Sequence, residues 1–423
     1  MRRTCFGVAL TVLSAVRPVC SWAADSDALG DPLALAAAVA YARQHNAEIR
    51  AAAARWQAAT ARPAQQGALP DPMVDVGYHD EGFDRLRLGD TDFAFLRIGA
   101  SQEIPFPGKL GLKRAIATHD AEEAREDYRR VELDVISRLK MTYAEYAHLD
   151  EELDLLRRNR ALLETMARTA EARYAVGQGI QQDVLQAQVE LSLLVDRETT
   201  LAQRRQSQTA LLNALLNRPA TAPIGAAEHP MQWSLTRSLD ELTSAAQAHA
   251  PALKSAERRV AGSESGVQLA RREYLPDFVV RGEYMHKSDL LPEWEVGLGI
   301  KVPLYFASKQ RAGVTEAVAT LAEARAARDG AAVDVAARVR DLYARAKASE
   351  RLIALYQTTV IPQARLALES ATSAYQVGKI DFLTLVNSFT VMLEYEMRFH
   401  EELTNFQKAA AELEAVVGEP LEG

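Results

Sequence analysis

The sequence predicts a mainly α-helical fold with a membrane β-barrel, its elements written twice along the chain. Three observations point there. The chain echoes itself in order, it carries long helical stretches without Gly or Pro, and it holds four short segments that alternate apolar and polar residues. Hydrophobic residues make up 48% and charged residues 25%, so the 423-residue chain can bury a core and is not disordered.

The first residues read as an export leader. Arg2 and Arg3 precede the apolar run Phe6 to Val16, and Ser21-Trp22-Ala23 places small residues where a signal peptidase reads them. A signal peptide is expected over 1–23. The competing lipoprotein reading would modify Cys20, but Arg17-Pro18-Val19 is a poor approach to that site. Cys5 and Cys20 both fall in the leader, so no disulfide or thiolate metal site is expected in the mature chain. Losing Arg2, Arg3 and Arg17 takes the net charge from −8 to −11, which argues against a nucleic-acid partner. Beyond the leader no run of about 18 apolar residues occurs, so no membrane-spanning helix is predicted.

The duplication organises everything else. Tyr174-Ala175-Val176-Gly177 is answered by Tyr375-Gln376-Val377-Gly378, a shift of 201, and Pro219 by Pro420. Leu69-Pro70-Asp71 is echoed by Leu275-Pro276-Asp277, Ile104-Pro105 by Val302-Pro303, and His45 to Arg50 by His249 to Lys254. The shifts differ by a few residues, as expected if insertions sit in loops. The repeats are assigned to 24–219 and 238–420, joined by a Pro-containing linker over 220–237.

Within the first repeat, Leu33 to Gln66 is Ala-rich and reads as one helix. A hairpin is expected over 72–104, a long helix over 112–176 and a returning helix over 180–217. Leu149, Leu153, Leu156, Leu163 and Met166 recur at helical spacing, one apolar stripe of a rod roughly 95 Å long. The second repeat gives a helix, a hairpin over 277–303, a long helix over 310–375 with Pro362 as a kink, and a helix over 380–417. Rods of this length need neighbours along their whole side, as in a tube wall.

In the hairpins the period drops to two. Trp294, Val296, Leu298, Ile300 and Val302 share one side, opposite Glu295, Gly297, Gly299 and Lys301. Leu96, Ile98, Ala100 and Ile104 lie opposite Arg97, Gly99, Ser101 and Glu103. Val74, Val76 and Tyr78 oppose Asp75, Gly77 and His79, while Phe278, Val280 and Tyr284 oppose Arg281 and Glu283. A soluble sandwich alternates in the same way. Export without a spanning helix, and aromatics gathered near the hairpin ends, favour a barrel. Four strands cannot close in lipid, where open edges are not tolerated. Two copies would give a barrel of about eight strands filled by side chains, and three a 12-stranded barrel with room for a pore, so a homotrimer is expected.

With these residues in hand, the chain resembles the TolC-type outer-membrane efflux channels over nearly all of its mature length. The resemblance implies a barrel in outer-membrane lipid that continues into a periplasmic α-helical barrel. It implies a passive exit conduit of a tripartite pump, with a periplasmic adaptor and an inner-membrane resistance–nodulation–division transporter as partners. The tips Val176, Gly177, Gln178, Gly179, Gln181 and Asp183, and Val377, Gly378, Lys379 and Asp381, would meet the adaptor. The stretch Gln102-Glu103-Ile104-Pro105-Phe106-Pro107-Gly108-Lys109 resembles the heavy-metal branch, which makes metal cations the expected cargo. The second repeat reads Val302-Pro303-Leu304-Tyr305-Phe306 and lacks the Pro-Gly-Lys. Export of drugs or a polypeptide by the same fold, or a soluble periplasmic scaffold, are the alternatives.

Most candidate residues carry a simpler reading as well. Gly177, Gly179 and Gly378 serve as helix C-caps with left-handed backbone. Asp183 and Asp381 cap the returning helices or form an acidic ring at the tunnel mouth, and Thr384 stands where the first repeat has Asp183. Asp75, Arg97, Glu103, Arg281, Glu283 and Lys301 line the pore if the barrel closes, their mixed signs arguing against tight selectivity. His79-Asp80-Glu81 and Met285-His286 show no repeating ligand spacing, and His400-Glu401-Glu402 reads as a solvated helical face. No catalytic residue, metal site or cofactor is predicted.

Overall fold

The computed structural model describes residues 30–80, 91–228, 234–288 and 290–421; the expected leader, with Cys5 and Cys20, lies outside the described residues. The first repeat contains α1 (Leu35–His45), α2 (Ala47–Gln66), β1 (Met73–His79), β2 (Phe95–Ile104), α3 (Lys109–Ala175) and α4 (Gln181–Leu215). The second contains α5 (Leu239–His249), α6 (Pro251–Arg272), β3 (Asp277–His286), β4 (Glu293–Lys301), α7 (Arg311–Leu355), α8 (Ile361–Gln376) and α9 (Phe382–Val417).

The single helix expected over 33–66 is two helices. Asn46 leaves helical geometry, and its Oδ1 accepts from the N–H of Glu48 at 2.8 Å and of Ile49 at 3.1 Å. This is an N-cap that restarts the chain as α2. The Asn46 amide also donates to the Leu215 carbonyl at 2.8 Å, which docks the break on the end of α4. The second repeat breaks at the matching place, where Pro251 opens α6. There α5 begins on a capping box of Ser238 and Glu241.

The two long helices differ. α3 runs 67 residues without interruption. Its counterpart passes through π-type hydrogen bonding at Phe306–Gln310 and again at Tyr356–Val360. The second lies immediately before Pro362, which has no N–H to offer the preceding turn and so shifts the ladder there.

Buried side chains form a series of clusters along the rods rather than one centre. The stripe from Leu149 to Met166 packs with Leu194 of α4 and Phe382, Phe389 and Leu393 of α9. Val339, Leu342 and Ile353 of α7 meet Leu242 of α5 and Phe406 and Leu413 of α9. Leu139, Tyr143 and Tyr146 of α3 cover Leu212 of α4 and Leu216, which caps that helix. The last group also holds the start of the linker. The Tyr143 hydroxyl lies between the carbonyl oxygens of Leu33 (2.6 Å) and Glu228 (2.7 Å), and that of Tyr146 donates to Gly225 at 3.0 Å. Burial pushes the Tyr143 phenol up to about 12, so it remains a donor.

The four strands make one antiparallel sheet in the order β1-β2-β3-β4. Its middle pairing, Ile104↔Phe278 through Leu96↔His286, joins the two repeats. Among the described residues, β1 and β4 are left as open edges.

Candidate functional site

The registers carry the predicted alternation across all four strands. Val74 faces Ala100, Gly282 and Val296 in one row, and Val76 faces Ile98, Tyr284 and Trp294 in the next. Because each pairing preserves parity, the apolar residues of these alternating rows fall on the same side of the sheet. Among the described residues nothing covers that side: Trp294 is 77% exposed, Leu298 72% and Val296 68%. The opposite side carries Asp75, Arg97, Glu103, Arg281, Glu283 and Lys301. Arg97 lies 3.7 Å from Asp75 and 3.6 Å from Glu283, spanning β1, β2 and β3, while Lys301 reaches Glu103 at 3.2 Å. The glycines on this face make room for those chains. A Cβ on Gly99 would meet Asp75 Oδ1 at 2.6 Å, and one on Gly297 would meet Arg281 Cγ at 2.8 Å.

The stretch 102–109 proves to be a joint between sheet and rods. Gly108 turns left-handed at φ 92°, and Lys109 starts α3. The Lys109 side chain is 3% exposed; its Nζ donates to Asp277 Oδ1 at 2.9 Å, the Leu275 carbonyl at 3.0 Å and Glu273 Oε2 at 3.4 Å. The Phe106 N–H donates to the same Asp277 oxygen at 2.8 Å, and Arg272 donates to the Pro107 carbonyl at 2.7 Å. The motif of one repeat thus clamps the Leu275-Pro276-Asp277 strand start of the other. Its lysine and glycine have a structural part in this clamp.

At the far end the two tips are tied together. Gly177 and Gly378 adopt φ 75° and 76°, the left-handed turn expected of them. Gly179 does not; its need is space, since a Cβ there would lie 3.1 Å from the Tyr174 backbone nitrogen. The two aspartates also part ways. Asp381 caps α9, accepting from the Thr384 N–H at 2.8 Å; the Thr384 hydroxyl first, and this N–H next, hold its carboxyl below the ordinary range. Asp183 sits in the first turn of α4 and accepts instead from the Tyr375 hydroxyl of the other repeat, at 3.2 Å. Arg173 completes the tie. It donates to the carbonyls of Tyr375 and Gln178, and its guanidinium lies 4.8 Å over the Tyr375 ring. Burial, then the nearby Asp183, push the Tyr375 phenol up to about 12. Arg173→Ala removes charge-assisted bonds that contribute about 2 kcal/mol, so hydrogen exchange in both tips is expected to speed up about 30-fold. Unchanged exchange would show that the tie is incidental.

Other sequence candidates resolve differently. His79 stacks on Phe95 at 5.1 Å, while Glu81 lies outside the described residues. Among the described residues no group of three or more His, Cys, Asp or Glu could hold a metal ion. His400-Glu401-Glu402 is not simply a solvated face: Glu402 accepts from Ser349 of α7 at 2.7 Å, and Glu401 borders a cavity shared with His148. Sequence reading missed that cavity, because buried Glu152 and His148 lie between apolar stripe positions and carry no motif.

Comparison with known proteins places this geometry. The family model for "Outer membrane efflux protein" matches residues 38–218 and again 242–419. The pyoverdine export outer membrane protein OpmQ of Pseudomonas putida is 25% identical over 398 residues, covering 89% of this chain and 84% of that protein. The outer membrane protein VceC of Vibrio cholerae superposes with a TM-score of 0.77 at 18% identity, covering 92% of this chain and 97% of VceC. CusC, a protein studied for transmembrane channel formation, gives 0.77 at 14% identity, with 91% and 92% covered. The fold is therefore that of the TolC-type channels. Matched twice, once in each repeat, the chain belongs to the outer membrane efflux protein family.

Proposed function

We propose that the chain is the passive exit duct of a tripartite efflux pump, assembled from three copies. Its place is the outer membrane, as for the family. The observation that carries the reading is the sheet, with an uncovered apolar face, a charged face behind it and two open edges. Joining β4 of one copy to β1 of the next removes every edge and puts the apolar face in lipid. Asp75, Arg97, Glu103, Arg281, Glu283 and Lys301 then line the pore. Three acids stand among three bases on this face, so the barrel passes cargo without strong choice. A soluble scaffold would have no use for this sheet.

The helical hairpins form the periplasmic tube. The tips Val176, Gly177, Gln178, Gly179, Gln181 and Asp183, with Val377, Gly378, Lys379 and Asp381, meet a periplasmic adaptor. That adaptor joins the duct to an inner-membrane resistance–nodulation–division transporter, where energy is spent and cargo chosen. The duct itself needs no cofactor.

For cargo, the resemblance of 102–109 to the heavy-metal branch supports metal cations. A second reading, a small organic molecule, is favoured by the likeness to a pyoverdine exporter. Deleting the gene separates them. Metal cargo predicts a severalfold fall in the zinc, cobalt, copper or silver concentration that arrests growth, with dye and detergent tolerance unchanged. Sensitivity to organic compounds alone would overturn the metal assignment.

A further inference from the structure

A polar cavity of about 460 Å³ opens where α3, α4 and α9 converge. His148 and Glu152 of α3 line it with only 10% of each side chain exposed, and His148 Nε2 lies 3.5 Å from Glu152 Oε1. That contact is at the outer limit of a hydrogen bond, so burial governs both groups more than their pairing does. The other ring nitrogen, His148 Nδ1, is buried and has no hydrogen-bond partner in the structure.

Charged groups surround the pair from each helix. On α3 itself, Glu145 forms an ion pair with Lys408 of α9, tying the two repeats together beside the cavity. α4 presents Arg197 and Arg204. From α9 come Glu394, Arg398 and Glu401, with His400 close enough to act on His148. Arg204 is the cation that acts on Glu152, opposed by Glu145 and Glu401.

Burial holds the His148 imidazole down to about 4, against the pull of Glu145. Burial pushes the Glu152 carboxyl up to about 7, against the pull of Arg204. The pair is therefore uncharged through mildly acidic pH, and the carboxyl ionises near neutrality. The proton it releases passes to water through the open side of the cavity.

We propose that His148 and Glu152 form a proton-operated joint between the two repeats. With Glu152 protonated, α3 and α9 pack on a neutral pair. With Glu152 ionised, its carboxylate draws Arg204 of α4 into the cavity and tightens α4 against the seam. The cavity supplies the room that the arginine needs, and the desolvated carboxylate supplies the drive.

The sign of the stability change follows. A carboxyl raised in the folded state stabilises the fold fully below its unfolded value, 4.5, and that contribution is lost as pH rises through about 7. His148, lowered in the folded state, contributes above 6.5 and loses its contribution as pH falls through about 4.

The full chain in detergent tests the joint, by thermal unfolding and by hydrogen exchange corrected for its intrinsic pH dependence. Between about pH 6.5, above which His148 adds no further change, and about pH 8.5 the wild type should lose about a degree of unfolding temperature, while exchange in α4 around Arg204 slows severalfold. Glu152→Gln, which keeps the protonated shape, should flatten both profiles. A purely structural role would instead shift the unfolding temperature equally at every pH. Arg204→Gln changes an exposed side chain and should move the transition to higher pH and abolish the slowing. A Glu152→Gln profile matching wild type, or an Arg204→Gln transition that stays in place, would overturn the proposal; should Glu152→Gln not fold, the arginine variant alone decides.

Discussion

Val296→Arg is expected to keep the protein out of lipid. Val296 lies near the centre of β4, 68% exposed, in the row it shares with Val74, Ala100 and Gly282. A cation on the lipid face of a barrel costs about 2–4 kcal/mol near the bilayer midplane. Three copies would impose that cost three times on one closed wall. Spontaneous insertion into vesicles, followed by denaturant titration and flotation, should fall by more than tenfold. The neighbouring Glu295→Arg reverses a charge on the wet face and should insert normally, because side chains one residue apart point to opposite sides. Equal behaviour of the two variants would mean that the apolar face does not meet lipid.

Lys109→Met is expected to be the most damaging single change at the junction of sheet and rods. The ammonium group is almost fully buried and holds two carboxylates and a carbonyl. Removing one partner of a buried ion pair leaves the other uncompensated, at a cost of about 3 kcal/mol. Asp277 would then keep only the Phe106 N–H among the partners described above. Lys109→Arg should recover only part of the loss, since a rigid planar fork does not reproduce three donors spread around one nitrogen. Lys309, exposed at the start of the second long helix, is the control: Lys309→Met should leave the denaturation midpoint unchanged. A Lys109→Met protein as stable as wild type would remove the clamp from the account.

How much of this could be read from the sequence depended on whether a feature left a local signature. The strand faces were legible because parity is local: Trp294 to Val302 alternate whatever they pair with. The tip turns were legible because Gly177 and Gly378 occupy backbone geometry that other residues avoid. The break at Asn46 was hidden by the alanines around it, although the echo of His45 to Arg50 by His249 to Lys254 brackets both breaks and Pro251 marks one. The clamp at Lys109 was hidden for a different reason. Its partners lie more than 160 residues away along the chain, so its structural part left no local signature. The Asp183–Tyr375 contact was equally non-local.

The unequal rods hold a lesson about length. Between the end of the second strand and the tip tyrosine, 70 residues separate Ile104 from Tyr174, but 73 separate Val302 from Tyr375. Both runs leave one sheet and finish in tips bonded to each other, so they must climb the same height with different amounts of chain. The surplus lies in the rod and not in loops. A hydrogen bond that reaches back five residues encloses one more than the usual four, and so takes in chain with little added rise. The two widened turns act as vernier stops: they take up two of the three extra residues and so bring a longer copy nearly level with a shorter one.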